Sequence, residues 1–233
     1  MKKILTLFVL FSILFPQTSL AFDDVLPQSP YYNAIENLAE RGIITRDRTN
    51  YLPTTTLTRA ELAKVSLLAA GIEVEIATET PFPDLTADWM NDVIFTAKKY
   101  SIIEGYSDGK FRPNAPVTYI EAFKIMAEAL GYEPVAPIRD LYQDAKTTDW
   151  WTKYIERAYD RNLLSMESGN TFGIHRPFTR NMLAQMLYRD LLIEENMTDV
   201  FSSSLEEEED SFQDLNEFDD TLDFDIDMDF TLN

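Results

Sequence analysis

Apolar positions along residues 22–193 run through three cycles of the same pattern. In each cycle a first stretch opens at Ser29-Pro30, Asp88-Trp89 or Asp149-Trp150 and soon reaches an apolar pair: Ala34-Ile35, Val93-Ile94 or Tyr154-Ile155. Ser and Asp cap the free N–H groups of a helix, and Pro or Trp takes its first turn. These stretches stop at Gly42-Ile43-Ile44, Ser101-Ile102-Ile103 and Asn162-Leu163-Leu164. Gly and Asn suit the left-handed residue that ends a helix, and Ser101 suits it less well. A second stretch opens at Thr58, Thr118 or Thr179. Its apolar positions return at helical spacing: Leu62, Val65, Leu68; Phe123, Met126, Leu130; Leu183, Leu187, Leu191. The pattern predicts two helices per cycle.

Local chemistry supports these boundaries. Thr58-x-x-Glu61 and Thr118-x-x-Glu121 are capping boxes, whereas Thr179-x-x-Met182 lacks the carboxylate half. Gly71 and Gly131 follow the first two of these helices. Between the helices lies a turn-rich connector, clearest as Gly105-Tyr106-Ser107-Asp108-Gly109-Lys110-Phe111-Arg112-Pro113. Asp108-Gly109 favours a tight turn, Phe111 is an apolar plug, and Pro113 stops a strand from extending. The first connector has no Gly, so its turn is of another type. Phe22-Asp23-Asp24, Phe82-Pro83-Asp84 and Tyr142-Gln143-Asp144 recur at 60-residue intervals, which makes the cycles true repeats. One helix pair buries little by itself, so three packed together are expected.

The combination of Phe-x-Asp, Trp with Ala/Val-Ile, Gly-Ile-Ile, Gly-Tyr-x-Asp-Gly-x-Phe-x-Pro and Thr-Arg-Ala-Glu resembles the S-layer homology domain over residues 22–193. That resemblance implies an all-α fold of three helix-loop-helix repeats in a pseudo-threefold spindle. It also implies non-covalent attachment of an exported protein to cell-wall glycan, either a secondary cell wall polysaccharide, often with a pyruvylated terminal sugar, or a peptidoglycan-linked glycan. The repeats are placed at residues 22–76, 77–135 and 136–195.

Composition narrows the chemistry further. The 233 residues contain no Cys and one His, His175, which leaves no disulfides, no thiolate zinc site and no Cys nucleophile. A net charge of −20 argues against nucleic acid as a partner. That charge is uneven: residues 22–193 carry 18 basic and 24 acidic groups, and residues 194–233 carry 16 acidic groups and no basic one. Residues 1–21 join Lys2-Lys3 to an apolar run from Ile4 to Phe15 and end Ser19-Leu20-Ala21. This reads as a signal peptide cleaved after Ala21, with no later span of a membrane. Residues 196–233 read as a disordered acidic tail, whose alternating end, Leu222 to Phe230, would suit a protein partner. Its Asp223, Asp225 and Asp227 start like a calcium loop, but Met228 stands where that loop needs Gly. No cofactor or metal is expected.

Arg59 and Arg180 each follow a capping Thr, an unfavourable place for a cation on dipole grounds. Each would be stabilised if side chain and helix N-terminus met at one anion, and under the resemblance the motif Arg is a glycan contact. Repeat 2 has Tyr119 there, which points to a weakened site. Trp89 and Trp150 occupy the family's Trp position, where an indole face stacks on a sugar or seals the helix start. Asp108 and Gly109 line a pocket or simply make the turn. The leading function is a non-enzymatic wall-binding module. The alternative is an envelope adaptor whose acidic tail recruits a partner, with glycan binding partly lost.

Overall fold

The computed structural model describes residues 22–86, 88–136, 143–144, 146–163 and 171–205. The expected signal peptide and the tail from residue 206 onward lie outside these. Among the described residues six helices of nine residues or more follow in order: α1 Tyr32–Glu40, α2 Arg59–Ala69, α3 Asp88–Lys99, α4 Tyr119–Ala129, α5 Thr152–Asp160 and α6 Arg180–Glu195, with a short helical stretch at 203–205. Among the described residues there is no strand, only three isolated antiparallel bridges. The fold is the expected all-α set of three repeats, each with two helices.

The left-handed closures fall where the sequence places them, at Gly42 (φ 71°), Ser101 (φ 61°) and Asn162 (φ 56°). After each, the next N–H reaches back over the last turn: Ile43 to the Leu38 carbonyl, Ile102 to Ala97 and Leu163 to Ala158. Both capping boxes form, with the Glu61 and Glu121 carboxylates accepting from the N–H groups of Thr58 (2.9 Å) and Thr118 (3.0 Å). In repeat 3 Thr179 caps nothing. Asn181 replaces the missing carboxylate, its Oδ1 accepting from the Thr179 hydroxyl and from the Met182 N–H. The helices α1 and α5 begin later than expected. Ser29 and Asp149 form a preceding turn, and α1 and α5 start at Tyr32 and Thr152.

The Phe-x-Asp motif has a structural task. Asp24 accepts from the N–H groups of Tyr51 and Leu52, Asp84 from Phe111 and Arg112, and Asp144 from Phe172 and Gly173, all at 2.6–3.0 Å. Leu52, Arg112 and Gly173 all have positive φ (61°, 59° and 71°). Such a backbone is costly for Leu and Arg, and it turns two successive N–H groups toward one carboxylate, which offsets the cost. In repeat 2, Gly109 (φ 78°) makes the tight turn, closed by Tyr106 and Lys110. Repeat 1 differs as expected, its Thr49 carbonyl accepting instead from the Asp23 N–H.

The repeats join at a closed ring. The Leu57 N–H donates to the Phe178 carbonyl (3.0 Å), Phe178 to Val117 (3.0 Å) and Val117 to Leu57 (2.9 Å). Their side chains are buried at the axis. Outside the ring, α2 donates its first N–H groups to repeat 2 (Arg59 to Ala115, Ala60 to Pro113). Likewise α4 donates to repeat 3 (Tyr119 to Arg176, Ile120 to Ile174) and α6 to repeat 1 (Arg180 to Thr55, Asn181 to Pro53). The helix pairs in contact are therefore α2 with α3, α4 with α5 and α6 with α1, together with α2 against α4. None of these main pairs joins the two helices of one repeat.

The compact part also extends beyond α6. Residues 196–205 were expected to start the tail, yet Phe201 and Leu205 are buried. The Phe201 N–H donates to the Arg161 carbonyl, Asn162 Nδ2 donates to the Phe201 carbonyl, and Arg189 lies over the Phe201 ring.

Two predictions arise here. Leu57→Ala empties a fully enclosed axial position and lowers stability by about 2–5 kcal/mol, with all three repeats melting in one transition by circular dichroism. The carboxyls of Asp84, Asp144 and Glu121 are all held below their ordinary values: burial pushes each up, and the hydrogen bonds they accept outweigh it. Their contribution is complete above the unfolded carboxyl value, about pH 4, and is lost as pH falls through the lowered folded values. Denaturation across pH 2–7 (roughly the carboxylate window) should show that loss, and Asp84→Asn should shrink it.

Candidate functional site

The ring arrangement means that each boundary between repeats is built from all three. At the boundary of repeats 3 and 1 lies a cavity of about 350 Å³. Its floor is the repeat 1 connector with Ile44 and Tyr51, and one wall is α2 with Glu61 and Lys64. Arg180 enters from α6 of repeat 3, and Trp89 from α3 of repeat 2. Arg180 lies over the Tyr51 ring (4.6 Å), and the Tyr51 hydroxyl donates to the Arg180 carbonyl (2.8 Å). Burial pushes the Tyr51 phenol well above its ordinary pKa, so it remains a donor there. Lys64 sits 5.9 Å from the Trp89 ring, which is 42% exposed. Among the described residues Arg180 makes no ion pair, and its buried Nε has no hydrogen-bond partner. Two cations and an indole face thus meet around one opening.

The sequence pairs Arg59 with Arg180, and the structure separates them. Arg59 is 6% exposed at the boundary of repeats 1 and 2. Its Nε donates to the Phe111 carbonyl (3.0 Å) and Nη2 to the Glu104 carbonyl (3.2 Å), with Glu121 at 3.5 Å. The guanidinium also lies on the rings of Tyr106 (4.8 Å) and Phe111 (4.7 Å). Arg59 is thus committed to holding repeat 1 on repeat 2. The expectation that each Arg shares an anion with its helix N-terminus is not met. The first N–H groups of α2 and α6 are taken by carbonyls of the next repeat.

Trp150 is 61% exposed, with Lys124 5.8 Å from its ring, an arrangement parallel to Lys64 on Trp89. The neighbouring Trp151 is the buried one, at 7%. Asp108 and Gly109 lie on the repeat 2 connector and do not line the cavity. Asp108 accepts from the Lys110 N–H and pairs with Arg112, and both contacts hold its carboxyl below the ordinary range. At the third boundary Tyr119 is buried, packed edge-on to Phe172 and Phe178 under the Arg176 guanidinium (3.9 Å). Tyr119 therefore fills that place with aromatic packing. Lys64 was not foreseen. Its signal was available, since Lys64 and Lys124 both stand six residues after a capping Thr.

The sequence profile of the S-layer homology domain matches residues 21–63, 81–123 and 141–181, more than half of the chain. The chain belongs to the S-layer homology domain family. It is 30% identical over 164 residues to the surface-layer 125 kDa protein of Lysinibacillus sphaericus, covering 68% of this chain and 14% of that protein. It is 37% identical over 83 residues to the surface layer protein of Brevibacillus choshinensis, covering 34% and 7%. Exoglucanase XynX of Acetivibrio thermocellus matches at 31% over 166 residues, covering 67% and 15%. The chain thus spans about 15% or less of the length of these relatives. Its family and these surface-layer relatives make it an exported protein of the cell surface or cell wall. No helix among the described residues is long and apolar enough to cross a membrane.

The two arginines should differ in how much their loss costs in denaturant. Arg59→Ala leaves the Phe111 and Glu104 carbonyls without their donors and costs about 1–3 kcal/mol. Arg180→Ala, which breaks no ion pair, costs less than about 1 kcal/mol.

Proposed function

We propose that this chain is a non-catalytic anchoring module that holds an acidic cell-wall glycan in the cavity between repeats 3 and 1. One observation carries the reading: Arg180, Lys64 and Trp89, from three different repeats, converge on a single opening. An anionic sugar suits this set. Its carboxylate meets Arg180, whose buried Nε lacks an acceptor, and Lys64, while a ring face lies on the exposed indole of Trp89. A pyruvylated terminal sugar, as the family resemblance implies, offers both groups. The chain's acidity does not oppose this, because most of it lies in residues 194–233.

The shared segment occupies only a small part of surface-layer proteins and of an exoglucanase alike. That supports an attachment role independent of whatever the rest of each protein does. The alternative, an adaptor acting through residues 206–233, predicts that wall association needs those residues.

Co-sedimentation with purified cell-wall sacculi tests both. The chain should pellet with sacculi, and removing residues 206–233 should leave pelleting unchanged. Arg180→Ala or Trp89→Ala should weaken it at least tenfold, a loss of about 1.4 kcal/mol. Undiminished pelleting of both variants would overturn the assigned site.

A further inference from the structure

The helices α2, α4 and α6 close in the same way, and the last differs in its chemistry. After the C-caps Ala70, Leu130 and Asn196 comes a left-handed residue: Gly71 (φ 66°), Gly131 (φ 70°) or Met197 (φ 51°). The next N–H then reaches back over the last turn, Ile72 to Leu67, Tyr132 to Ala127 and Thr198 to Ile193. Ala70, Ile72, Leu130 and Tyr132 are half-buried and pack against the core. Helix α6 runs 16 residues against 11 for α2 and α4, and its end stands clear of that core. Asn196, Met197 and Thr198 are all exposed, Met197 at 93%. The chain then returns to the fold at Phe201, whose N–H donates to the Arg161 carbonyl. Asn196-Met197-Thr198 is thus a raised loop between two fixed points.

This triplet is also the one place in the chain where an Asn is followed two residues later by Ser or Thr. That spacing, with any residue but Pro between, is the acceptor pattern for N-linked glycosylation of exported proteins. Glu194 adds, two residues earlier, the acid that the bacterial form of the pattern carries. We propose that Asn196 is a covalent glycosylation site, taking its oligosaccharide from a lipid-diphosphate-linked donor. The site draws on export of the chain and is independent of the anchoring reading. Asn196 Nδ2 attacks the anomeric carbon of the donor's first sugar, and an N–C bond forms as the C–O bond to the diphosphate breaks. The lipid diphosphate leaves with the bonding electrons, and Nδ2 gives one proton to a base of the transferase. The folded chain accommodates the product. An amide nitrogen carries two hydrogens, and Asn196 uses one of them, donating to the Leu192 carbonyl at 2.9 Å. The other is the one replaced. The Thr198 hydroxyl, which the pattern requires, is exposed and makes only a long contact to the Val200 carbonyl at 3.4 Å. The 16 residues of α6, about 24 Å of helix, separate this loop from Arg180, so the attached glycan leaves the cavity between repeats 3 and 1 open.

Peptide mass spectrometry on the protein purified from the envelope of the cells that make it tests this. Trypsin cuts after Arg189, and no Lys or Arg follows in the sequence, so the peptide beginning at Asp190 carries the site. That peptide should exceed its sequence mass by an oligosaccharide, and fragmentation should place the addition on Asn196. Asn196→Gln and Thr198→Val should each return the peptide to its sequence mass, whereas Thr198→Ser should keep the addition. A peptide at sequence mass in the wild-type protein overturns the proposal. So does an added sugar that fragmentation places on Ser202, Ser203 or Ser204, or one that survives Asn196→Gln. Should Asn196→Gln not fold, Thr198→Val and Thr198→Ser carry the test, since both keep Asn196 and only one keeps a hydroxyl. Equal occupancy in those two variants would then overturn the proposal.

Discussion

Three backbone hydrogen bonds at the axis, from Leu57 to Phe178 to Val117 and back to Leu57, are the constraint on which the rest depends. A cycle of donors and acceptors leaves no repeat at an end. Linear repeat arrays need polar caps on their terminal units, whereas here the last repeat covers the first. The ring also sets the direction of α2, α4 and α6. Each lays its first N–H groups on carbonyls of the following connector, so the helix N-termini become joints between repeats rather than anion sites. The Phe-x-Asp carboxylates stiffen those connectors from the other side by holding two N–H groups at a left-handed residue.

That geometry makes each boundary between repeats composite. Each boundary takes its Arg position from one repeat, its connector and Lys position from the next, and its Trp position from the third. A substitution in one repeat therefore acts at a boundary that the repeat only partly owns. Tyr119 affects the boundary with repeat 3, where it packs among Phe172, Phe178 and Phe123. Three boundaries built on one plan have thus reached three conditions: open with unpaired cations, internally paired, and plugged by aromatic packing.

Much of this was legible from residues alone. The two helices per repeat, their left-handed closures and both capping boxes follow from short-range chemistry, in which a Thr and a Glu three residues apart satisfy the same N–H groups in any context. The exchange of Asn181 for the missing Glu was not legible, because it needs the geometry of the α6 start. The burial of Phe201 and Leu205 was hidden for another reason. Their partners Arg161, Asn162 and Arg189 lie elsewhere in the chain, and the local composition around them is that of an acidic tail.

The two arginines mark the division most clearly. Sequence determined the repeat, the family and the candidate Arg and Trp positions, because these rest on spacing and on bonds between near neighbours. Tertiary structure decided that Arg59 is a buried joint and Arg180 an open cation. The same motif residue touches Glu104 and Tyr106 across one boundary, whereas across the other it shares a cavity with Thr45 and Asp47. Which neighbour it meets is set by the closed ring, and the ring is made of contacts some 60 residues or more apart that no local pattern records.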